Sequence, residues 1–290
     1  MKVDNAVIMA AGTSSRFAPL SYERPKALIT VRGEVLIERQ IRQLLEAGVP
    51  EVILVTGYKA EQFAYLKERF GVRLVHNDAY LSRNNNSSIH AVKDILGASY
   101  ICSADNYFTV NPFLPEPEEA YYAAVYADGP TAEWCMQEDA AGYISSVTIG
   151  GENAWYMLGH AFWSRTFTAE FLRILEREYD LPQTADKLWE KIYMEHLDTL
   201  KMRIRRYPTD AIFEFDTLDE LRDFDESYKN DSRSPILKAT AARLGVGESE
   251  LVQLKSFKHG TTAAAGFDFV CRGRAYRYTY DTQQLTEKEQ

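Results

Sequence analysis

Ala6-Val7-Ile8-Met9-Ala10, followed by Ala11-Gly12-Thr13-Ser14-Ser15-Arg16-Phe17-Ala18-Pro19-Leu20, is the stretch on which the fold turns. The first five residues are apolar and uncharged, as in a strand buried on both faces, and the glycine and hydroxyls after them predict a loop leading into a helix. The same alternation continues outward: a helix over 36–47, a Gly48 turn, a strand over 51–56, a helix over 60–69 and a strand over 72–75. A helix over 88–96 then precedes the strand 100–104, which ends at Asp105. Short apolar strands alternating with amphipathic helices predict an α/β fold with a doubly wound, mixed but mainly parallel sheet. Ligands of such sheets sit at the carboxyl ends of the strands, so the Gly12 loop and Asp105 are expected on one rim.

From about 120 to 210 the pattern changes to a mixed insertion, with strands over 121–126, 144–149, 161–163 and 203–207 and helices over 168–178 and 187–195. A helix over 218–228 closes a catalytic domain of residues 1–228. The polar run 229–235 ends in Pro235 and reads as a linker. Residues 236–290 form a small α+β extension: a helix over 236–244, a β-hairpin over 266–271 and 275–280, and a tail over 282–290 expected to be disordered. A two-stranded hairpin is marginal alone, so the extension is expected to pack on the catalytic domain or on a second subunit.

Composition narrows the function. The chain has 290 residues and a formal net charge of −9, from 33 basic and 42 acidic residues. That length buries a core without disulfide or metal staples, and the charge disfavours a nucleic-acid surface. Any polyphosphate must be caught by a few placed groups. Three widely spaced cysteines, Cys102, Cys135 and Cys271, read as reduced core thiols. With no apolar run near 18 residues and no leader pattern, the expectation is a cytoplasmic protein with no membrane contact; a homo-oligomer stays open. All four tryptophans fall between 134 and 189.

A strand ending in the small residues Ala10, Ala11 and Gly12 lets backbone N–H groups approach a polyphosphate. Thr13, Ser14 and Arg16 add donors, and Lys26, after Pro25, supplies a second cation. No Walker loop or three-glycine dinucleotide fingerprint is present. The string resembles the signature of nucleotidyltransferases that activate sugar phosphates and phosphocholine, Gly-x-Gly-(Ser/Thr)-Arg followed by Pro-Lys, with Ser14 at the second glycine. Serine is costly there if the position needs positive φ. The resemblance implies a Rossmann-like nucleotidyltransferase fold and Mg²⁺ held by Asp105, in Ser103-Ala104-Asp105-Asn106, and by Glu214 and Asp216. On an extended segment the last two point to one face; the competing reading makes Asp216 the N-cap of the next helix. Asn85, Asn86 and Ser87 lie where the family contacts base and ribose, although an Asn/Ser run is also ordinary cap chemistry.

A quaternary ammonium is held by aromatic faces with a carboxylate nearby. Trp134, Tyr156, Trp163 and Trp189, with Glu190 or Glu133, are therefore the expected acceptor pocket. The segments Glu133-Trp134, 159–163 and Leu188-Trp189-Glu190 resemble bacterial CTP:phosphocholine cytidylyltransferases. The resemblance implies CTP and phosphocholine as substrates, giving CDP-choline and pyrophosphate and feeding phosphocholine decoration of the cell surface. Two alternatives stay open: the same chemistry on a sugar 1-phosphate or an aminoalkyl phosphonate, and a non-catalytic nucleotide-binding or interaction module. The extension, through the run 254–262 and the hairpin, weakly resembles the N-lobe of choline kinases but lacks the length for kinase activity.

Overall fold

The computed structural model describes residues 1–260 and 264–288. Thr261 and Thr262 of the kinase-like run, and the last two residues of the tail, lie outside the described residues. Along the chain come β1 (Asn5–Ala10), α1 (Leu20–Glu23), β2 (Thr30–Val31), β3 (Glu34–Val35), α2 (Leu36–Glu46), β4 (Val52–Thr56), α3 (Tyr65–Phe70), β5 (Arg73–His76), α4 (Asn86–Ala91), β6 (Ser99–Ser103) and β7 (Asn106–Phe108). Then follow β8 (Tyr121–Glu138), β9 (Ile144–Trp163), α5 (Arg165–Glu178), α6 (Trp189–Glu195), β10 (Arg203–Arg206), β11 (Ile212–Glu214), α7 (Leu218–Phe224) and α8 (Pro235–Leu244). The chain finishes with β12 (Val252–Phe257), β13 (Gly266–Cys271), β14 (Arg274–Thr279) and β15 (Gln284–Glu287).

These elements form two compact units. The first comprises Met1–Gly12 and Ile37–Glu214. Its seven-stranded sheet has the order β10-β8-β9-β6-β1-β4-β5, with β6, β1, β4 and β5 mutually parallel and β9 antiparallel to both neighbours. This is the mixed, mainly parallel sheet that the alternating pattern predicts. All five residues of β4 are buried, as expected of a strand covered on both faces. From α2, Ile37, Ile41 and Leu44 are fully buried at i, i+4 and i+7, the apolar stripe that faces the sheet. Ser164 caps α5, its hydroxyl accepting from the Phe167 N–H at 3.2 Å, and the helix buries Phe167, Phe171, Ile174 and Leu175.

One difference concerns the insertion. The expected strands over 144–149 and 161–163 are parts of one 20-residue strand, β9, and β8 runs for 18 residues. Repeated register shifts along the β8–β9 ladder let one ribbon continue where glycines and polar residues suggested breaks. Among the described residues no helix is long and apolar enough to cross a membrane.

The second unit comprises Thr13–Leu36 and Phe215–Gln290. The composition-based boundary at 229–235 therefore does not coincide with a boundary between compact units. The extension is larger than a helix and hairpin: β12, β13, β14 and β15 form a four-stranded antiparallel sheet. This corrects the expected disordered tail, because β15 pairs with β14 from Gln284 to Glu287. Four strands packed with a helix suffice for a small core, here built on Leu237, Leu251, Phe267 and Phe269.

Candidate functional site

In the first unit β1 delivers Ala10, Ala11 and Gly12 to the carboxyl end of the sheet. The Ala11 carbonyl accepts from the Tyr58 N–H at 3.0 Å, tying this strand end to the loop after β4. Gly57 permits that approach: a Cβ there would lie 2.6 Å from Tyr80 Cγ and 2.9 Å from the Ala11 oxygen. At Gly12 a Cβ would meet no protein atom within 4 Å. Space beside its backbone is therefore clear of protein.

The acidic residues of this unit are placed by the short β7–β11 pair, which sets Asn106 opposite Glu214. Asn106 Nδ2 donates to Glu214 Oε2 at 3.3 Å, and Asp105 directly precedes it. Asn106 is buried, and its Oδ1 is left without a hydrogen-bond partner. An orphaned amide oxygen beside two carboxylates is a hard donor set that suits a divalent cation such as Mg²⁺. Among the described residues, however, no group of three or more His, Cys, Asp or Glu is arranged to hold a metal. Of the expected trio, Asp105 and Glu214 belong to this unit and Asp216 to the other.

In the second unit Asp216 is engaged by both expected cations. Arg16 Nη1 lies 2.6 Å from Asp216 Oδ2, and Lys26 Nζ lies 3.7 Å from Oδ1. Arg16 is 74% exposed, whereas Lys26 is 5% exposed and passes over the Phe17 ring at 5.6 Å. Thr217, not Asp216, caps α7: its hydroxyl accepts from the Glu220 N–H, and the Glu220 carboxylate returns to the N–H of Thr217 at 3.1 Å. That capping box leaves the Asp216 carboxylate for the cations. Ser14 stands in the left-handed region at φ 46°, as its place at the family's second glycine implies. Its carbonyl accepts from the Phe17 N–H at 2.9 Å, forming the short turn that carries Arg16.

The acceptor residues divide. Trp163 and Trp189 are 0% and 1% exposed, pack edge to face with centroids 5.1 Å apart, and join Phe167 and Phe171 in the core. This corrects the expectation that they offer faces to an acceptor: buried against other rings, they have none free. Trp134 is half-buried, with the Lys191 ammonium 4.8 Å from its ring centroid. Glu190 is buried. Its Oε2 accepts from Asn85 Nδ2 at 3.2 Å and its Oε1 from the Tyr122 hydroxyl at 3.4 Å. Burial pushes its carboxyl up to about 7, with these hydrogen bonds opposing. Burial also raises the Tyr122 phenol, helped by the negative charges of Glu190, Glu214 and Asp105. Tyr156 is raised by burial and then by Glu133 and Glu214. Two tyrosines thus share a field of carboxylates.

The Asn/Ser run is spent internally. Asn85 Oδ1 accepts from the Trp189 N–H at 2.7 Å. Buried Asn86 donates to the carbonyls of Thr184 and Lys187, and buried Ser87 accepts from Asn77 Nδ2 at 2.8 Å. The expected contacts of Asn86 and Ser87 with base and ribose are corrected: Asn86 fastens residues 184–187, and the Ser87 hydroxyl is held by Asn77 and donates to the Asn84 carbonyl. Sequence reasoning missed Tyr122 and Asn106. Their signals were a phenol among the alanines of an inner strand face, Ala120 and Ala124, and an amide opening an otherwise apolar strand.

Comparison with known proteins adds the following. A model of the MobA-like NTP transferase domain matches residues 6–140. Choline-phosphate cytidylyltransferase of Streptococcus pneumoniae is 32% identical over 227 residues, 78% of this chain and 99% of that protein. 2-Aminoethylphosphonate cytidylyltransferase of Lancefieldella rimae is 36% identical over 228 residues, 77% of this chain and 93% of that protein. The solved CTP:phosphocholine cytidylyltransferase of Streptococcus pneumoniae superposes with a TM-score of 0.74 at 32% identity, covering 79% of this chain and 100% of that one. About a fifth of this chain thus has no counterpart in that structure.

Proposed function

The chain belongs to the cytidylyltransferases of the nucleotidyltransferase superfamily, and from this premise we propose that it transfers the cytidylyl group of CTP to phosphocholine, releasing pyrophosphate. The observation that carries the transferase reading is the Arg16–Asp216–Lys26 group beside a strained loop. Two cations share one carboxylate, and the phosphates of CTP offer them more negative charge than Asp216 does. Asp216 holds Arg16 and Lys26 in position until the polyphosphate takes its place. Lys26 is buried and keeps a short reach, while exposed Arg16 can follow the leaving pyrophosphate once the phosphates displace Asp216.

Asp105 and Glu214, with Asn106 Oδ1, are the residues that would hold Mg²⁺, which when bound supplies charge neutralisation at the α-phosphate. The acceptor phosphate is already an anion near neutral pH, so the chain needs no general base. Its residues act by binding and orientation: backbone N–H groups of 11–13 on the phosphates, Tyr156 and Trp134 on the methylated ammonium, and Glu190 as its counter-charge.

A second reading, 2-aminoethylphosphonate as acceptor, is favoured by a specific observation. With Trp163 and Trp189 in the core, the aromatic surface near Glu190 shrinks while the carboxylates remain. A primary ammonium has N–H groups that carboxylates satisfy; a quaternary one has none. The test is pyrophosphate release by the full chain with Mg²⁺, CTP and each of phosphocholine, 2-aminoethylphosphonate and glucose 1-phosphate, with products identified by mass. Phosphocholine is expected to give the highest kcat/KM. A higher value for 2-aminoethylphosphonate establishes the second reading, and turnover of none sinks both.

A further inference from the structure

The second unit couples two stretches far apart in sequence, and the coupling involves the extension that the transferase chemistry does not use. Residues 13–35 contain only a three-residue turn at Ser15–Phe17, the four-residue α1, a second three-residue turn at Lys26–Leu28 and the two-residue ladder of β2 and β3. None of these is long enough to be stable by itself. Their shape must come from what they pack on. Within this unit that is the described part of residues 215–288.

The contacts are specific. Tyr22 of α1 stacks on Tyr280, with centroids 3.7 Å apart and planes 11° from parallel. Tyr280 directly follows β14 and is buried. The next residue of α1, Glu23, accepts from the Ile236 N–H at 3.0 Å, so α1 helps to cap α8 beside the Ser234 cap. The Thr30 carbonyl accepts from the Tyr228 hydroxyl at 2.6 Å and from Arg233 at 2.9 Å. Strand β12 packs on the turn that holds Arg16. The extension is also fastened by buried Arg222, which donates to the carbonyls of Leu251 at 2.6 Å and Glu248 at 2.8 Å. The left-handed Ser14 lies at the start of this braced segment, and such a conformation persists only where its surroundings over-determine it.

We propose that residues 236–260 and 264–288 are a brace for the nucleotide-handling segment, and that the Tyr22–Tyr280 stack is the positioning contact through which the brace sets Arg16 and Lys26. The inference rests on the reading that these two cations meet the phosphates of CTP. It assigns the extension a role in affinity for CTP, not in the reaction itself.

The test is steady-state kinetics of the full-length native chain and of Tyr22→Ala, Tyr280→Ala, Tyr280→Phe and the double alanine variant, with thermal midpoints recorded for each. Loss of one stacked pair is expected to raise KM for CTP about three- to tenfold, with KM for the acceptor unchanged within about twofold. Tyr280→Phe keeps the ring and should restore the native KM. The double variant should match the single ones, since all remove one contact. Tyr22 is at the surface of α1, so Tyr22→Ala serves even where Tyr280→Ala fails to fold. A native KM for CTP in Tyr22→Ala, or equal rises for both substrates, overturns the proposal. Absence of CTP turnover in the native chain sinks the reading beneath it as well.

Discussion

Replacing Glu190 with glutamine should remove a pH dependence of stability that the fold builds in. The carboxyl is 9% exposed, held by Asn85 and Tyr122, and raised from its ordinary 4.5 to about 7, chiefly by burial. Between those two values the native state binds more protons than the unfolded chain, so stability falls as pH rises through this window. At 1.36 kcal/mol per pH unit, a gap of about 2.5 corresponds to about 3 kcal/mol lost between pH 4.5 and 7. Glutamine has no proton to lose, keeps one oxygen for Asn85, and presents an NH₂ that the Tyr122 oxygen can accept. Urea denaturation of both proteins at pH 5, 6, 7 and 8 isolates the effect, because every other titrating group is common to both. The native protein should lose about 2–3 kcal/mol relative to the variant from pH 5 to pH 8. Parallel stability curves would refute the reasoning. A cation bound beside Glu190 should also draw off its proton, so calorimetric titration of phosphocholine at pH 6.5 should release more protons from the native chain than from Glu190→Gln.

Three further outcomes follow from the second unit. Ser14→Gly removes a side chain from the left-handed region and should stabilise by up to about 1 kcal/mol, seen as a thermal midpoint about 2 °C higher; a lower midpoint counts against strain at this position. Lys26→Met should cut pyrophosphate release by about 10²–10³-fold with the circular dichroism spectrum unchanged, and native turnover would remove Lys26 from the machinery. Arg222→Met leaves the Leu251 and Glu248 carbonyls buried without their donor, which should cost about 2–4 kcal/mol in urea unfolding; a loss below about 1 kcal/mol would mean that water replaces the guanidinium.

The doubly wound sheet was legible because its strands carry their burial in their own residues. Val7, Ile8, Ile53 and Leu54 are apolar on both faces and fully buried, and α2 shows its stripe at Ile37, Ile41 and Leu44. The aromatic cluster was legible as a cluster but not as a place. Trp163 and Trp189 differ from Trp134 only in what comes to cover them, and the cover is α5, whose Phe167 and Phe171 close over Trp163. A count of tryptophans between two carboxylate sites carries no information about that closure. Asn86 and Ser87 failed for the same reason: an amide or a hydroxyl matches a base edge as well as it matches a neighbouring carbonyl or amide, and burial decides between them.

Glu214 and Asp216 show where a correct rule loses its premise. Residues two apart share a face only while the strand continues. Here β11 ends at Glu214, and by Thr217 the chain is already committed to the capping box of α7. The strand and the helix compete for two intervening residues, and the helix wins because Thr217 and Glu220 satisfy each other's backbone N–H groups. Asp216 is thereby turned out of the strand's register and toward Arg16 and Lys26, 200 and 190 residues earlier in the chain. The charge of −9 therefore does not repel polyphosphate uniformly. On the proposed reading, Asp216 holds the two cations that meet the polyphosphate, and it is free to do so because Thr217 and not Asp216 caps α7.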